Sequence, residues 1–99
     1  MKLDIKINLS PLDFIRKISY RPLEGNSREY SAVKSFGGGD YPRFHAYITQ
    51  KGPGDFSVNL HLDQKKPSYS GSHAHSGEYD GSLVDGEARR IRDVAEACL

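Results

Sequence analysis

The amino-acid sequence predicts a single α+β domain that spans residues 1–99. We expect a small antiparallel sheet of three or four strands, a short N-terminal helix, and a C-terminal amphipathic helix packed on one face of the sheet. Three patterns predict this class. Apolar and polar residues alternate near the N-terminus, two later segments alternate around a glycine-rich loop, and apolar residues recur at helical spacing near the C-terminus.

The N-terminal segment combines a strand pattern with helix-start signals. The alternating apolar residues are Leu3, Ile5, Ile7 and Leu9. This period of two is typical of a half-buried strand. Ser10 is a suitable N-cap and Pro11 a suitable first-turn residue, so we expect a helix over residues 11–19. Residues 22–27 contain proline, glycine and asparagine, which predict a turn.

The middle of the chain predicts a strand and then a hairpin. Residues 29–36 fit the period of a strand and that of a helix equally poorly, and we assign them to a strand. Residues 43–49 and 56–63 alternate clearly, and residues 50–55 between them hold a proline flanked by glycines. Such a segment is typical of a hairpin loop.

The C-terminal part predicts a long loop followed by a helix. Residues 64–81 have no apolar periodicity and are rich in polar residues, and ordered loops of such length are often functional. Ser82 and Asp85 resemble a capping arrangement that would start a helix over residues 83–97. The apolar face of that helix would consist of Val84, Ala88, Ile91, Val94 or Ala95, and Cys98.

Composition narrows the classes of function. Fourteen basic and thirteen acidic side chains give a net charge of +1, which disfavours nonspecific nucleic-acid binding. A single cysteine, Cys98, excludes an intrachain disulfide. The chain lacks an apolar run long enough to span a bilayer and lacks a signal-peptide pattern, so we expect a soluble, cytoplasmic protein with no membrane partner.

The hairpin should carry a polar face, because side chains on a strand alternate between its two sides. If the apolar residues face the core, the outward residues are Arg43, His45, Tyr47, Thr49, Asn59, His61 and Asp63. Two registers preserve this arrangement. His45 then lies either diagonal to His61, at about 8 Å, or directly opposite it, at about 5.5 Å.

A metal site is one interpretation of this face. His61 and Asp63 lie two residues apart on one side of a strand, and His73 and His75 repeat that spacing in the loop. If the loop folds over the hairpin, these four residues could bind a divalent transition metal such as Zn²⁺ or Mn²⁺. Glu78 would then be a candidate general base that activates bound water. However, the sequence matches no known zinc-binding spacing.

Two alternatives need no metal. The polar residues can be ordinary solvated positions, with His45 stacked on Tyr47 or hydrogen-bonded to Asn59. They can also bind an anionic ligand, and the candidate ligand-binding residues are then His45, Tyr47, His61, Lys65, Lys66 and Tyr69. The lysine pair is equally typical of a solvated strand end.

Catalytic signatures do not identify a reaction. The sequence lacks the nucleophile elbow G-x-S-x-G, the phosphate loop and the dinucleotide-binding glycine pattern. Our first hypothesis is therefore a noncatalytic binding module whose polar hairpin face and 64–81 loop bind an anionic ligand, a protein or nucleic acid. The second is a metal-dependent, hydrolase-like enzyme. The sequence leaves open whether the chain is an enzyme.

Overall fold

A computed structural model describes residues 1–24, 29–36, 39–64 and 76–98, with only the backbone for residues 76–80. The elements in chain order are β1 (Lys2–Lys6), α1 (Pro11–Lys17), β2 (Arg21–Pro22), β3 (Glu29–Ser35), β4 (Arg43–Gly52), β5 (Asp55–Asp63) and α2 (Ser76–Ala97). The strands form one antiparallel sheet in the order β1-β5-β4-β3-β2. This arrangement confirms the predicted α+β class.

Within the described residues the sheet has five strands, whereas the sequence predicted three or four. The additional strand is β2, which consists of Arg21 and Pro22 paired with Val33 and Ala32 of β3. Pro22 belongs to the predicted turn over residues 22–27, so that prediction was wrong for this residue. A two-residue strand is too short to show alternation, and proline is compatible with a strand at the edge of a sheet, where β2 lies.

The hairpin of β4 and β5 takes the register in which the two histidines are directly opposite. Phe44 pairs with Leu62, and His45 pairs with His61. The predicted loop over residues 50–55 was too long, because β4 continues through a bulge to Gly52, which pairs with Asp55. Bulges accommodate an extra residue on one strand, so the alternation that marks a strand is lost there.

The turn of this hairpin depends on a glycine. Gly54 has a φ of +69°, and a Cβ at this position would lie 3.1 Å from the Ile7 carbonyl oxygen. The Ile7 amide donates a hydrogen bond to the Gly54 carbonyl oxygen at 3.0 Å. The turn therefore contacts the chain just after β1, and glycine allows both the left-handed backbone and the close approach.

The core lies between one face of the sheet and the two helices. Its buried sheet residues are Leu3, Ile5, Ala32, Phe44, Ala46, Ile48, Phe56, Val58, Leu60 and Leu62. Its buried helical apolar residues are Phe14 and Ile15 from α1, and Val84, Ala88, Ile91 and Ala95 from α2. The alternation of β1, β4 and β5 thus turns their apolar residues toward one layer.

Both ends of α1 follow from local chemistry. The Ser10 hydroxyl accepts a hydrogen bond from the Asp13 amide at 3.2 Å, as the sequence predicted. At the other end, Ser19 adopts a φ of 70°. The Ser19 amide donates to the Arg16 carbonyl and the Tyr20 amide to the Ile15 carbonyl, which together form a Schellman motif. This motif reverses the chain and directs it into β2.

Helix α2 begins at Ser76, so the predicted loop over residues 64–81 and the predicted start near Ser82 were wrong for residues 76–82. Residues 65–75 lie outside the described part of the chain. Adding a turn to an existing helix is far easier than nucleating one, and α2 is anchored by its buried C-terminal face. Among the described residues, no helix combines the length and apolar character needed to cross a membrane.

A buried polar cluster ties α2 to the turn after α1. The Tyr20 hydroxyl donates a hydrogen bond to Glu87 Oε2 at 2.6 Å. Arg90 donates from Nε to Oε1 and from a terminal nitrogen to Oε2, both at 2.8 Å. The same terminal nitrogen lies 2.6 Å from the Ile18 carbonyl oxygen. Glu87 is only 7% exposed, and these contacts satisfy its carboxylate where water cannot.

Replacing Tyr20 with phenylalanine should lower the free energy of unfolding by about 2 kcal/mol, because a buried carboxylate loses a hydrogen bond. Urea denaturation monitored by circular dichroism measures the change. Tyr30→Phe is the matched control, since no hydrogen bond of the Tyr30 hydroxyl is found within the described residues. An equal effect of the two variants would contradict the role of the cluster.

The ionisation of Tyr20 should make the fold sensitive to alkali. Burial, reinforced by the hydrogen bond to Glu87, raises the pKa of Tyr20 far above its ordinary value. The folded state therefore holds this proton more tightly than the unfolded chain does. Its contribution to stability is complete below about pH 10 and decreases above it, where an unfolded tyrosine ionises.

We therefore expect the unfolding free energy of the wild type to fall more steeply above pH 10 than that of Tyr20→Phe. Urea denaturation at pH 9 to 11 measures how steeply the unfolding free energy of each protein falls with pH. Phenolate absorbance detects the ionisation of Tyr20, which should occur only on unfolding. Parallel pH profiles for the two proteins would rule out this linkage.

Candidate functional site

The sheet face opposite the core is polar, and β3, β4 and β5 all contribute to it. Its hairpin residues are those predicted from alternation, and on β3 the pairing adds Glu29, Ser31, Val33 and Ser35, which lie opposite Thr49, Tyr47, His45 and Arg43. Because α1 and α2 contribute their buried residues to the opposite layer, neither helix covers this face. The polar sheet face therefore presents side chains from three adjacent strands.

Three residues from three strands form a continuous hydrogen-bond relay. Ser31 Oγ on β3 lies 2.6 Å from His45 Nε2 on β4. His45 Nδ1 lies 3.1 Å from Asp63 Oδ2 on β5. We call this set the Ser31 relay. It runs diagonally across the sheet, because Ser31 pairs with Tyr47 and Asp63 pairs with Arg43, each next to His45 on its face.

The Asp63 carboxylate determines which atoms donate hydrogen bonds within the Ser31 relay. A carboxylate only accepts hydrogen bonds, so His45 Nδ1 must carry the proton that contacts Asp63. In a neutral imidazole the other nitrogen, Nε2, is then an acceptor. Ser31 therefore donates its hydroxyl proton to Nε2. This tautomer places a basic lone pair against the serine hydroxyl.

Arg43 and Tyr47 hold the relay in place from either side. Arg43 Nε donates to Asp63 Oδ2 at 3.3 Å, and its guanidinium lies 4.5 Å from the centre of the Tyr41 ring. The Tyr47 ring stacks on His45 with centroids 4.4 Å apart and planes inclined by 22°. These contacts leave the His45 side chain only 14% exposed. The predicted stacking of His45 on Tyr47 is thus confirmed, while its hydrogen bonds go to Ser31 and Asp63 instead of Asn59.

Beside the relay, Tyr47 and His61 border an open groove of about 420 Å³. The two rings meet edge to face, with centroids 5.7 Å apart. The groove is lined by Lys2, Glu29, Tyr47, Thr49, Ser57, Asn59 and His61. It therefore combines one aromatic surface with hydroxyl, amide, imidazole, ammonium and carboxylate groups, which can form hydrogen bonds to a small polar molecule.

The structure describes only some of the other residues predicted for ligand binding or catalysis. Lys65, Lys66 and Tyr69 lie outside the described residues, as do His73 and His75. Glu78 lies in the first turns of α2, but its side chain is also outside the described part. His45, Tyr47 and His61 do share one face, as the sequence predicted.

The four-residue metal site stays a prediction. Asp63, one of its two described members, uses Oδ2 to accept from Arg43 and His45. Within residues 1–24, 29–36, 39–64 and the described side chains of α2, no three His, Cys, Asp or Glu residues converge in a way that could hold a metal ion. Contributions from His73 and His75 lie outside this range.

Ser31 is the member of the relay that the sequence did not predict. Its strand did not show clean alternation, because Val33 is buried on the polar side while Lys34 lies on the core side opposite Phe44. Placing Ser31 beside His45 also requires the register between β3 and β4, which their connecting segment does not specify. The one available signal was parity, since a core-facing Ala32 turns Ser31 outward.

No protein-family model, curated protein or solved structure matches this chain. The polar sheet face has two features that bear on function. These are the contacts among Ser31, His45 and Asp63 and the groove beside Tyr47.

Asp63→Asn should change the tautomer of His45. In the wild type at a pH where imidazoles are neutral, we expect Nδ1 to be protonated and Nε2 to be bare, because Asp63 accepts from Nδ1. The asparagine amide can donate as well as accept, so the variant should show a mixture of tautomers. Two-bond ¹H–¹⁵N correlation spectra of the imidazole rings distinguish these states.

His61 is the internal control for this experiment. It lies on the same face as His45, and it contacts the Tyr47 ring and not Asp63. Its tautomer signals should stay unchanged in Asp63→Asn. A wild-type His45 with its proton on Nε2 would contradict the relay.

Proposed function

We propose that this chain is a binding module for a small polar ligand that has a ring and an anionic group. The ligand would bind in the groove beside Tyr47 and His61 on the polar sheet face. The single observation that supports this proposal most is the composition of that groove, in which an aromatic ring lies among convergent polar side chains.

The size of the groove favours a small molecule. Its volume of about 420 Å³ lies in the range of ligand pockets, roughly 300 to 1,000 Å³. Tyr47 is 38% exposed although it stands near the centre of the sheet, so its ring offers apolar surface next to polar groups. A planar ring on the ligand would gain stacking energy there, as aromatic pairs do.

The cations and hydrogen-bond donors of the groove favour an anionic group. Lys2 contributes an ammonium group from β1, and His61 contributes an imidazole from β5. Asn59 lies directly opposite both Lys2 and Tyr47 in the sheet, so its amide can reach a ligand held between them. Ammonium, imidazole and amide groups all donate hydrogen bonds to phosphate or carboxylate oxygens.

The two ends of the groove differ in their side chains. Glu29 lines the side formed by β3, opposite Thr49 in the sheet, and Lys2 lines the side formed by β1. An anionic group on the ligand would be attracted to Lys2. We therefore expect the anionic group to point toward β1 and the ring to lie over Tyr47.

Phenyl phosphate is a minimal probe, because it joins a ring to a phosphate. In ¹H–¹⁵N spectra recorded during titration, the signals of Tyr47, Asn59 and His61 should shift together and saturate. Tyr47→Ala should weaken binding about five- to tenfold, since it removes the stacking surface. Tyr47→Phe retains the ring and should bind like the wild type.

A charge-matched pair tests the anionic end. Lys2→Gln should weaken phenyl phosphate binding by about tenfold, whereas Lys17→Gln, on the helix at the other side of the sheet, should not. Inorganic phosphate should bind more weakly than phenyl phosphate. A non-saturating response, or one that Tyr47→Ala leaves unchanged, would overturn the proposed function.

A further inference from the structure

We infer that Ser31 is a nucleophile activated by His45 and Asp63, and that the polar sheet face can carry out acyl transfer from activated carboxylic esters. This inference goes beyond ligand binding and does not depend on which molecule occupies the groove. It rests on the juxtaposition of three side chains contributed by β3, β4 and β5.

The geometry assigns each residue a role. Ser31 Oγ lies 2.6 Å from His45 Nε2, within reach for proton transfer to a general base. Asp63 Oδ2 lies 3.1 Å from Nδ1, so it is a positioning residue that fixes the tautomer and stabilises the imidazolium once it forms. Arg43 in turn positions Asp63 through the 3.3 Å contact from Nε. Nucleophile, base and orienting carboxylate are thus in the order that serine activation needs.

The reaction consumes only the ester and water, and Ser31 and His45 are regenerated at its end. Ser31 Oγ forms a bond to the carbonyl carbon of the ester while its proton moves to His45 Nε2. The C–O bond to the leaving alcohol then breaks, and His45 returns the proton to that oxygen. Water then forms a bond to the carbonyl carbon of the acyl-serine while its proton moves to His45 Nε2. The bond between Ser31 Oγ and that carbon breaks, and His45 returns the proton to Oγ, so the carboxylic acid is released and the Ser31 hydroxyl is regenerated.

The surroundings of Ser31 allow a substrate to approach. Ser31 is half-buried, so the residue keeps some contact with solvent. It lies directly opposite Tyr47 and two residues from Glu29, both of which line the groove. An ester whose acyl or alcohol part occupied that groove would therefore have its carbonyl next to Ser31.

Arg21 is an exposed residue whose side chain is long enough to reach the position where negative charge would develop. Arg21 on β2 is opposite Val33, which follows Ser31 by two residues on the same face. Diagonal neighbours of this kind are about 7 to 8 Å apart at Cα, a distance that an arginine side chain easily spans. The Arg21 guanidinium is the group that we expect to stabilise the oxyanion of the tetrahedral intermediate.

Ser35 shows that the arrangement at Ser31 is specific. It lies on the same strand and the same face, four residues further along, and its hydroxyl donates to the Asp40 carbonyl oxygen at 3.1 Å. A carbonyl oxygen is not a base that can remove the hydroxyl proton. Ser35 is therefore a matched control that differs from Ser31 in its partner and not in its strand.

A fluorophosphonate is the direct probe, because attack by an activated serine forms an O–P bond and expels fluoride. Intact-mass spectrometry should show one adduct on the folded wild type, and peptide mapping should locate it at Ser31. Ser31→Ala should lose the adduct, and His45→Gln should react at least about 100-fold more slowly. Ser35→Ala should react at the wild-type rate.

Asp63→Asn tests the positioning role. Labelling should slow by about tenfold or more, and the loss should accompany the change in His45 tautomer, which a purely structural effect would not produce. Arg21→Gln should slow labelling without changing that tautomer. Wild type in denaturing urea should not be labelled, because the three residues are then separated.

Peptide mapping of the wild type requires no variant, so the outcome does not depend on whether a substituted chain folds. A folded wild type that forms no adduct, or forms it at another serine, would overturn the inference. This result is also separable from phenyl phosphate binding. Labelling of Ser31 without saturable binding of phenyl phosphate would support the nucleophile and reject the binding module. Saturable binding without labelling would support the binding module and reject the nucleophile.

Discussion

The register between β4 and β5 is the constraint on which the rest of the structure depends. Because side chains alternate along a strand, pairing Phe44 with Leu62 places the apolar residues of both strands against the helices and turns His45, His61 and Asp63 to the other side. A slip of one residue would exchange the two sets. The tight turn at Gly54 and its contact with Ile7 hold this register at the other end of the hairpin. Core and polar face are thus two results of one pairing.

The contacts that fix α2 to the rest of the chain lie on the core side of the sheet and involve no residue of the polar sheet face. Glu87 is buried, and its two oxygens are shared between Tyr20 and Arg90, so α2 is fixed to the chain segment that leads into β2. Removing one partner of a buried carboxylate is costly, because the charge is left without compensation. In contrast, the charged groups of the polar face contact each other at partly exposed positions, where they can exchange protein contacts for a ligand.

Local patterns in the sequence predicted much of this arrangement, and its long-range parts were not predictable. The strands β1, β4 and β5, the capped first helix and the shared face of His45, Tyr47 and His61 all follow from alternation and capping, whereas β3 alternates poorly. The strand β2 is too short to produce a pattern, and the first turns of α2 contain few apolar residues, so both were missed. Ser31 was missed because its proximity to His45 depends on a strand register that no local signal specifies.

The Ser31 relay has one consequence for how this protein could be monitored. Its members are 14 and 18 residues apart along the chain, and they meet only when β3, β4 and β5 are all paired. Fraying of β3 alone would separate the hydroxyl from its base while leaving the hairpin intact. The relay therefore reports the integrity of the central sheet, and a local opening too small to change the overall secondary structure would still interrupt it.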